Sequence, residues 1–141
     1  MSIIRAVYDY FKSCPLLDGE GCVRVNFLGD RPVEYVIEEI PAEPIVKRYV
    51  DGSSIRQFRF LFGSREGYDK DAMQNMLASD FYENLSEWLE QQTRMGNLPV
   101  LEEGMEAQKM EAVTTGYAFE ADQQAKHARY QIQCRLIYFK E

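Results

Sequence analysis

Tyr130, Ile132, Cys134, Leu136 and Tyr138 alternate with Arg129, Gln131, Gln133 and Arg135, a period of two. Successive side chains of a strand point to opposite faces, so this pattern predicts a strand with one buried face. The run Arg56-Gln57-Phe58-Arg59-Phe60-Leu61-Phe62 does the same and sets three phenylalanines on one side. Half-apolar strands need a covering layer, and two stretches have helical spacing. Ile3, Ile4, Val7, Tyr8 and Phe11 precede the stop at Pro15, while Met73, Leu77, Phe81, Leu85, Trp88 and Leu89 form a longer stripe. The expectation is an α+β fold: a mainly antiparallel β-sheet packed against one long helix and a short N-terminal helix.

The remaining segments fill in the sheet. Val23, Val25 and Phe27 alternate, LGDRP supplies a turn, and Val33, Tyr35 and Ile37 alternate again, which reads as a hairpin. Pro41 and Pro44 make IPAEP a connector or the rim of an edge strand, with a strand resuming over Ile45 to Tyr49. Asp51-Gly52 favours a tight turn. GSREGYDK, from Gly63 to Lys70, reads as an exposed loop in which Asp69 or Asp71 caps the following helix. Asp80 and Glu83 have capping-box spacing, so that helix restarts or kinks near Ser79, and Gly96 stops it. Lys109 to Phe119 reads as one strand with a bulge at Gly116, and EADQQAKH turns the chain into the last strand. The order is then α, several β, α and two β, with 1–141 read as a single domain.

The balance of 45% hydrophobic and 28% charged residues is that of a globular chain. Net charge is 16 minus 23, or −7. Up to Lys70 there are 10 basic and 11 acidic residues, and beyond it 6 and 12, so the acidity belongs to the second half. Such a balance repels phosphate and disfavours sequence-independent wrapping of nucleic acid. Cys14, Cys22 and Cys134 are odd in number with no CxxC spacing, which predicts reduced thiols in a cytoplasmic setting. The first segment, interrupted by Arg5, Asp9 and Lys12, lacks the apolar run of a signal peptide, and no stretch reaches the length of a membrane span.

Catalytic chemistry finds few starting points. His127 is the one histidine and falls in a polar turn; Cys134, seven positions on, would face the other side of its strand. Asp69, Asp71 and Asp80 resemble a calcium loop only in part, because Met73 sits where an oxygen ligand is needed. Glu38-Glu39 and Glu102-Glu103 are adjacent carboxylates that point apart on a strand, unlike a glycosidase pair. GxGxxG, P-loop and HExxH motifs do not occur. The expectation is a non-enzyme with no cofactor and no metal ligand set. A small cytoplasmic α+β enzyme stays as an alternative if a pocket gathers Tyr49, Tyr117 and Cys134. Trp88, Phe81 and Leu85 read as core instead of an interaction stripe.

Charge placement is more informative. Arg56, Arg59, Arg129 and Arg135 are expected opposite the apolar sets, giving one sheet face rich in arginine and glutamine. With Asp51 they are the candidate inter-subunit contacts, since separated charge suits a heterologous contact between identical copies.

The segments YVDGSSIRQFRFLF, DFYENLSEWLEQQ, GNLPVLEEGMEAQKMEAVTTGY and ARYQIQCRLIYF together resemble the phage tail-terminator, or minor capsid (head-tail joining), protein family of long-tailed phages and prophages. The resemblance runs from the first helix to the last strand. It implies a structural virion protein that assembles with itself into a ring, hexameric in the family, which ends the tail tube and joins it to the head connector. The implied partners are the tail-tube protein and the connector or head-completion protein, with DNA only passing through the lumen and no membrane contact. The implied location is the tail-head junction of the virion, and the bacterial host cytoplasm before assembly. A head-completion or connector adaptor from the same junction is the near alternative, and a host-directed regulator that binds through an exposed strand edge is a further one.

Overall fold

A computed structural model of the protein describes residues 2–17, 23–25, 34–67, 72–122 and 127–141. In chain order the elements are α1 (Ile3–Lys12), β1 (Val23–Val25), β2 (Glu34–Glu39), β3 (Ile45–Arg48), β4 (Ser54–Gly67), α2 (Ala72–Met95), β5 (Met105–Ala112), β6 (Tyr117–Asp122) and β7 (His127–Lys140). The α+β class is as expected, with a seven-stranded sheet in the order β1-β2-β4-β7-β5; β3 adds to β4 and β6 adds to β7.

The two alternating segments are the spine. β4 and β7 pair antiparallel from Ser54 opposite Lys140 to Gly67 opposite His127, 14 residues each, a ribbon of about 45 Å. Each outer flank is a broken strand. β2 and β3 share one flank, separated by the proline connector, where the Gln57 N–H donates to the Pro44 carbonyl at 2.9 Å. β5 and β6 share the other, interrupted at residues 113–116. The single strand expected over Lys109 to Phe119 is therefore two, and three strands follow α2 instead of two.

Three further expectations are corrected. β1 runs parallel to β2, Val23 opposite Tyr35 and Val25 opposite Ile37, so these strands are not a hairpin. The ladder uses only three residues; LGDRP lies outside the described residues. Second, GSREGYDK does not start as a loop: β4 continues to Gly67, with Gly63 and Ser64 buried. A Cβ on Gly63 would stand 3.2 Å from Val36 Cγ1 and 3.3 Å from the Tyr130 carbonyl oxygen, and the Ser64 hydroxyl is bonded to the Tyr82 hydroxyl at 2.6 Å. These loop-like residues are thus a close approach and a satisfied buried hydroxyl. Third, α2 is continuous through Ser79 and Asp80, both exposed on its surface, with no restart. The proposed Asp69 and Asp71 caps lie outside the described residues.

Both helices cover one face of the sheet. Val7, Tyr10 and Phe11 of α1 and Ala78, Tyr82, Leu85 and Leu89 of α2 join Tyr35, Ile37, Phe60, Phe62, Met110, Ile132, Cys134 and Leu136 in one core. Phe11 stacks on Phe62 at 4.9 Å and meets Phe60 edge-on at 5.8 Å. Trp88 and Phe81 pack at the rim of this core, as expected, with Trp88 at 5.3 Å from the Tyr10 ring. Leu77 departs from the stripe and is 59% exposed, and Tyr82 takes the buried place. Gly96 ends α2 as expected: its φ is +75°, its N–H donates to the Thr93 carbonyl, and the Asn97 N–H donates to the Gln92 carbonyl. These two bonds satisfy carbonyls that the helix leaves open.

Edge strand β5 is closed locally by α2. The Met110 N–H donates to Thr93 Oγ1 at 3.1 Å and the Thr93 hydroxyl donates back to the Met110 carbonyl at 2.8 Å. Thr93→Val keeps the shape and removes both bonds, so a loss of about 1–2 kcal/mol is expected in urea denaturation. An unchanged midpoint would show that water replaces the hydroxyl without cost.

Candidate assembly interface

The second sheet face, away from the helices, follows from the register. On β4 it presents Ile55, Gln57, Arg59, Leu61, Gly63 and Arg65; on β7 it presents Arg129, Gln131, Gln133, Arg135, Ile137 and Phe139. The two central strands thus carry four arginines and no carboxylate on this side. Arg59 stands directly opposite Arg135, and Arg65 opposite Arg129.

Like charges across a ladder repel, and the flanking strands answer on the β7 side. Arg135 ion-pairs with Glu111 of β5, and Arg129 reaches past β4 to Glu38 of β2, with an N–O distance of 3.1 Å. Gly63, on this face between β2 and β7, puts no side chain in the way. Burial raises the Glu111 pKa, but hydrogen bonds from Lys109 and Arg135 and the attraction of their charges outweigh it, so the carboxyl sits below its ordinary range. Arg129 also donates through Nε to Gln131 Oε1 at 3.1 Å and lies over the Phe119 ring at 5.6 Å, a cation–π contact to a 60% exposed aromatic.

Arg59 is different. Its Nη2 donates to Gln133 Oε1 at 3.2 Å, its Nε is buried with no hydrogen-bond partner, and it forms no ion pair among the described residues. A guanidinium held by one amide, facing another arginine, retains an uncompensated charge.

The remaining sequence candidates separate from this group. Arg56, expected on the arginine face, is on the helix side opposite Tyr138, with Nε donating to Ser54 Oγ at 3.1 Å. Three positions separate Arg56 from Arg59, an odd step, so a strand sends them to opposite faces. Asp51 lies in the β3–β4 turn, where its carboxylate accepts the Ser53 hydroxyl at 2.6 Å and the Ser53 N–H at 2.9 Å. These bonds hold its pKa below the usual carboxylate range and build the turn. Gly52 there has φ +92°, and the neighbouring Val50 is fully exposed.

The pocket imagined from Tyr49, Tyr117 and Cys134 is not gathered. Tyr49 is at the β3–β4 turn, the Tyr117 hydroxyl accepts from Gln131 Nε2 at 2.8 Å on the second face, and Cys134 is in the core between β4 and β5. His127 begins β7 instead of occupying a turn, at the opposite end of the ribbon from Lys140 and seven residues from Cys134, about 23 Å along a strand. Burial pushes the Cys134 thiol up to about 12, with the Arg59 charge opposing. Its thiolate is therefore suppressed, and Cys134 should resist iodoacetamide at pH 8 in the folded protein and react at once in guanidinium; fast native labelling would contradict this burial.

Sequence reasoning missed Arg65, Glu38 and Glu111. The parity signal for Arg65 was available, six positions from Arg59, but it lay inside the segment read as loop. The two carboxylates come from other strands, and only the register brings them in. Among the described residues no helix is long and apolar enough to cross a membrane, and no cluster of three metal-ligating side chains forms. The chain matches no family model and no curated protein.

Proposed function

We propose that the chain is a structural virion protein that forms a ring ending a phage tail tube and joining it to the head connector. The resemblance of its strand and helix segments to the tail-terminator family suggested the role. The observation that carries it here is the sheet face turned away from α1 and α2, where Arg59, Arg65, Arg129 and Arg135 crowd onto two adjacent strands and Arg59 lacks an anionic partner among the described residues. A face of this kind suits a complementary surface on another subunit better than free solvent. The acidic balance of the whole chain, −7, would let DNA pass a lumen without adhering.

Electron microscopy of the protein mixed with purified tail tubes tests the role. Rings are expected at the head-proximal end of the tubes. Bare tube ends at saturating protein would count against a terminator.

A further inference from the structure

A second charged surface lies on α2. Asp80, Glu83, Glu87 and Glu90 recur at steps of three, four and three, all four are exposed, and none forms an ion pair among the described residues. That spacing lines them up on one side of the helix, over about 15 Å of its axis. The arginine band has a similar length: six residues part Arg59 from Arg65 and Arg135 from Arg129, or about 20 Å of strand. Leu77, 59% exposed one turn before Asp80, adds apolar surface at the end of the stripe.

The two surfaces cannot meet within one subunit. α2 packs its Tyr82, Leu85 and Leu89 side against the opposite face of the same sheet. They can meet only between copies, and because they lie on opposite sides of the subunit the contact is head-to-tail, the kind that closes into a ring or runs on as a filament.

We infer that the arginine face of one copy docks the acidic stripe of α2 from the next, with Arg59 as the anchor for one of the stripe's carboxylates. This rests on the assembly reading above and names the surface that a neighbouring copy presents. A carboxylate at Arg59 would supply the anion that it lacks and relieve the Arg59–Arg135 repulsion. The Arg129–Glu38 and Arg135–Glu111 pairs would flank the anchor as a rim.

The test is a charge exchange on the full chain, read by analytical ultracentrifugation at low and high salt, with circular dichroism to check folding. Arg59→Glu reverses the anchor, and the double variant Glu83→Lys/Glu87→Lys reverses the exposed stripe. Each alone should weaken self-association roughly tenfold or more, and Arg59→Gln should weaken it less. Mixing the two reversed variants should restore assembly, because each then offers the other a matching patch. Two results overturn the inference: a wild type that stays monomeric at low salt at every concentration, or reversed variants that assemble as the wild type does. Rings at tube ends in either case would leave the terminator role standing and place the contact elsewhere. Tube ends that stay bare while the charge exchange behaves as described would instead remove the terminator role alone.

Discussion

Phe11→Ala is expected to remove about 3–5 kcal/mol of stability, a large share of the 5–15 kcal/mol typical of a domain. Phe11 is fully buried and its ring touches Phe60 and Phe62 of β4, Tyr10 of α1 and Trp88 of α2. It is the point where the short helix, the long helix and the central strand meet. Truncation leaves a void that three elements share, and the rigid rings around it cannot collapse to fill it. Tyr10 depends on the same seating: its hydroxyl donates to the Asn97 carbonyl at 3.0 Å, beyond the end of α2, and burial pushes its pKa well up. Chemical denaturation should show the midpoint falling while the slope is kept. A loss below about 1 kcal/mol would mean that α1 is not integral to the core.

Gly116→Ala should cost about 3 kcal/mol, the upper end for overpacking. An added Cβ would stand 2.6 Å from Tyr82 Cγ, far inside contact distance. Tyr82 cannot move aside, because its hydroxyl is fixed by Ser64 at 2.6 Å and donates to the Tyr130 carbonyl at 2.9 Å. Strain must therefore enter the 113–116 break or the helix axis. α2 passes close over Gly116 within the gap between β5 and β6, where one strand was expected. An alanine variant with wild-type stability would contradict the close approach.

What the sequence carried was parity and period. The alternation in Arg129–Tyr138 and the phenylalanines of Arg56–Phe62 located both spine strands and their buried side. The apolar stripe located α2, and Gly96 its end. What it did not carry was pairing. Three residues of β1 alternate equally well in a parallel or an antiparallel ladder, so their own pattern does not set the direction. Gly63 and Ser64 have loop composition but strand placement, because Val36 and the Tyr130 carbonyl come close over Gly63 and the Ser64 hydroxyl is bonded to Tyr82.

The candidate interface shows the same division. Arg59, Arg129 and Arg135 are legible as a polar face, whereas Arg56, an odd step from Arg59, stands on the helix side. The Glu38 and Glu111 counterions, and with them the isolation of Arg59, emerge only from register across four strands. The acidic stripe of α2 was hidden by the capping-box reading of Asp80 and Glu83, which describes a helix start where the helix in fact runs on.

The central claim is that this sheet face is where one subunit meets another, and a cryo-electron microscopy map of a capped tail tube would test it most directly. The account predicts the β4–β7 arginine face buried between ring subunits, with the Arg59 guanidinium within about 4 Å of a carboxylate on a neighbouring α2. A ring in which that face is turned to solvent or to the lumen, with subunits joined through other surfaces, would contradict it.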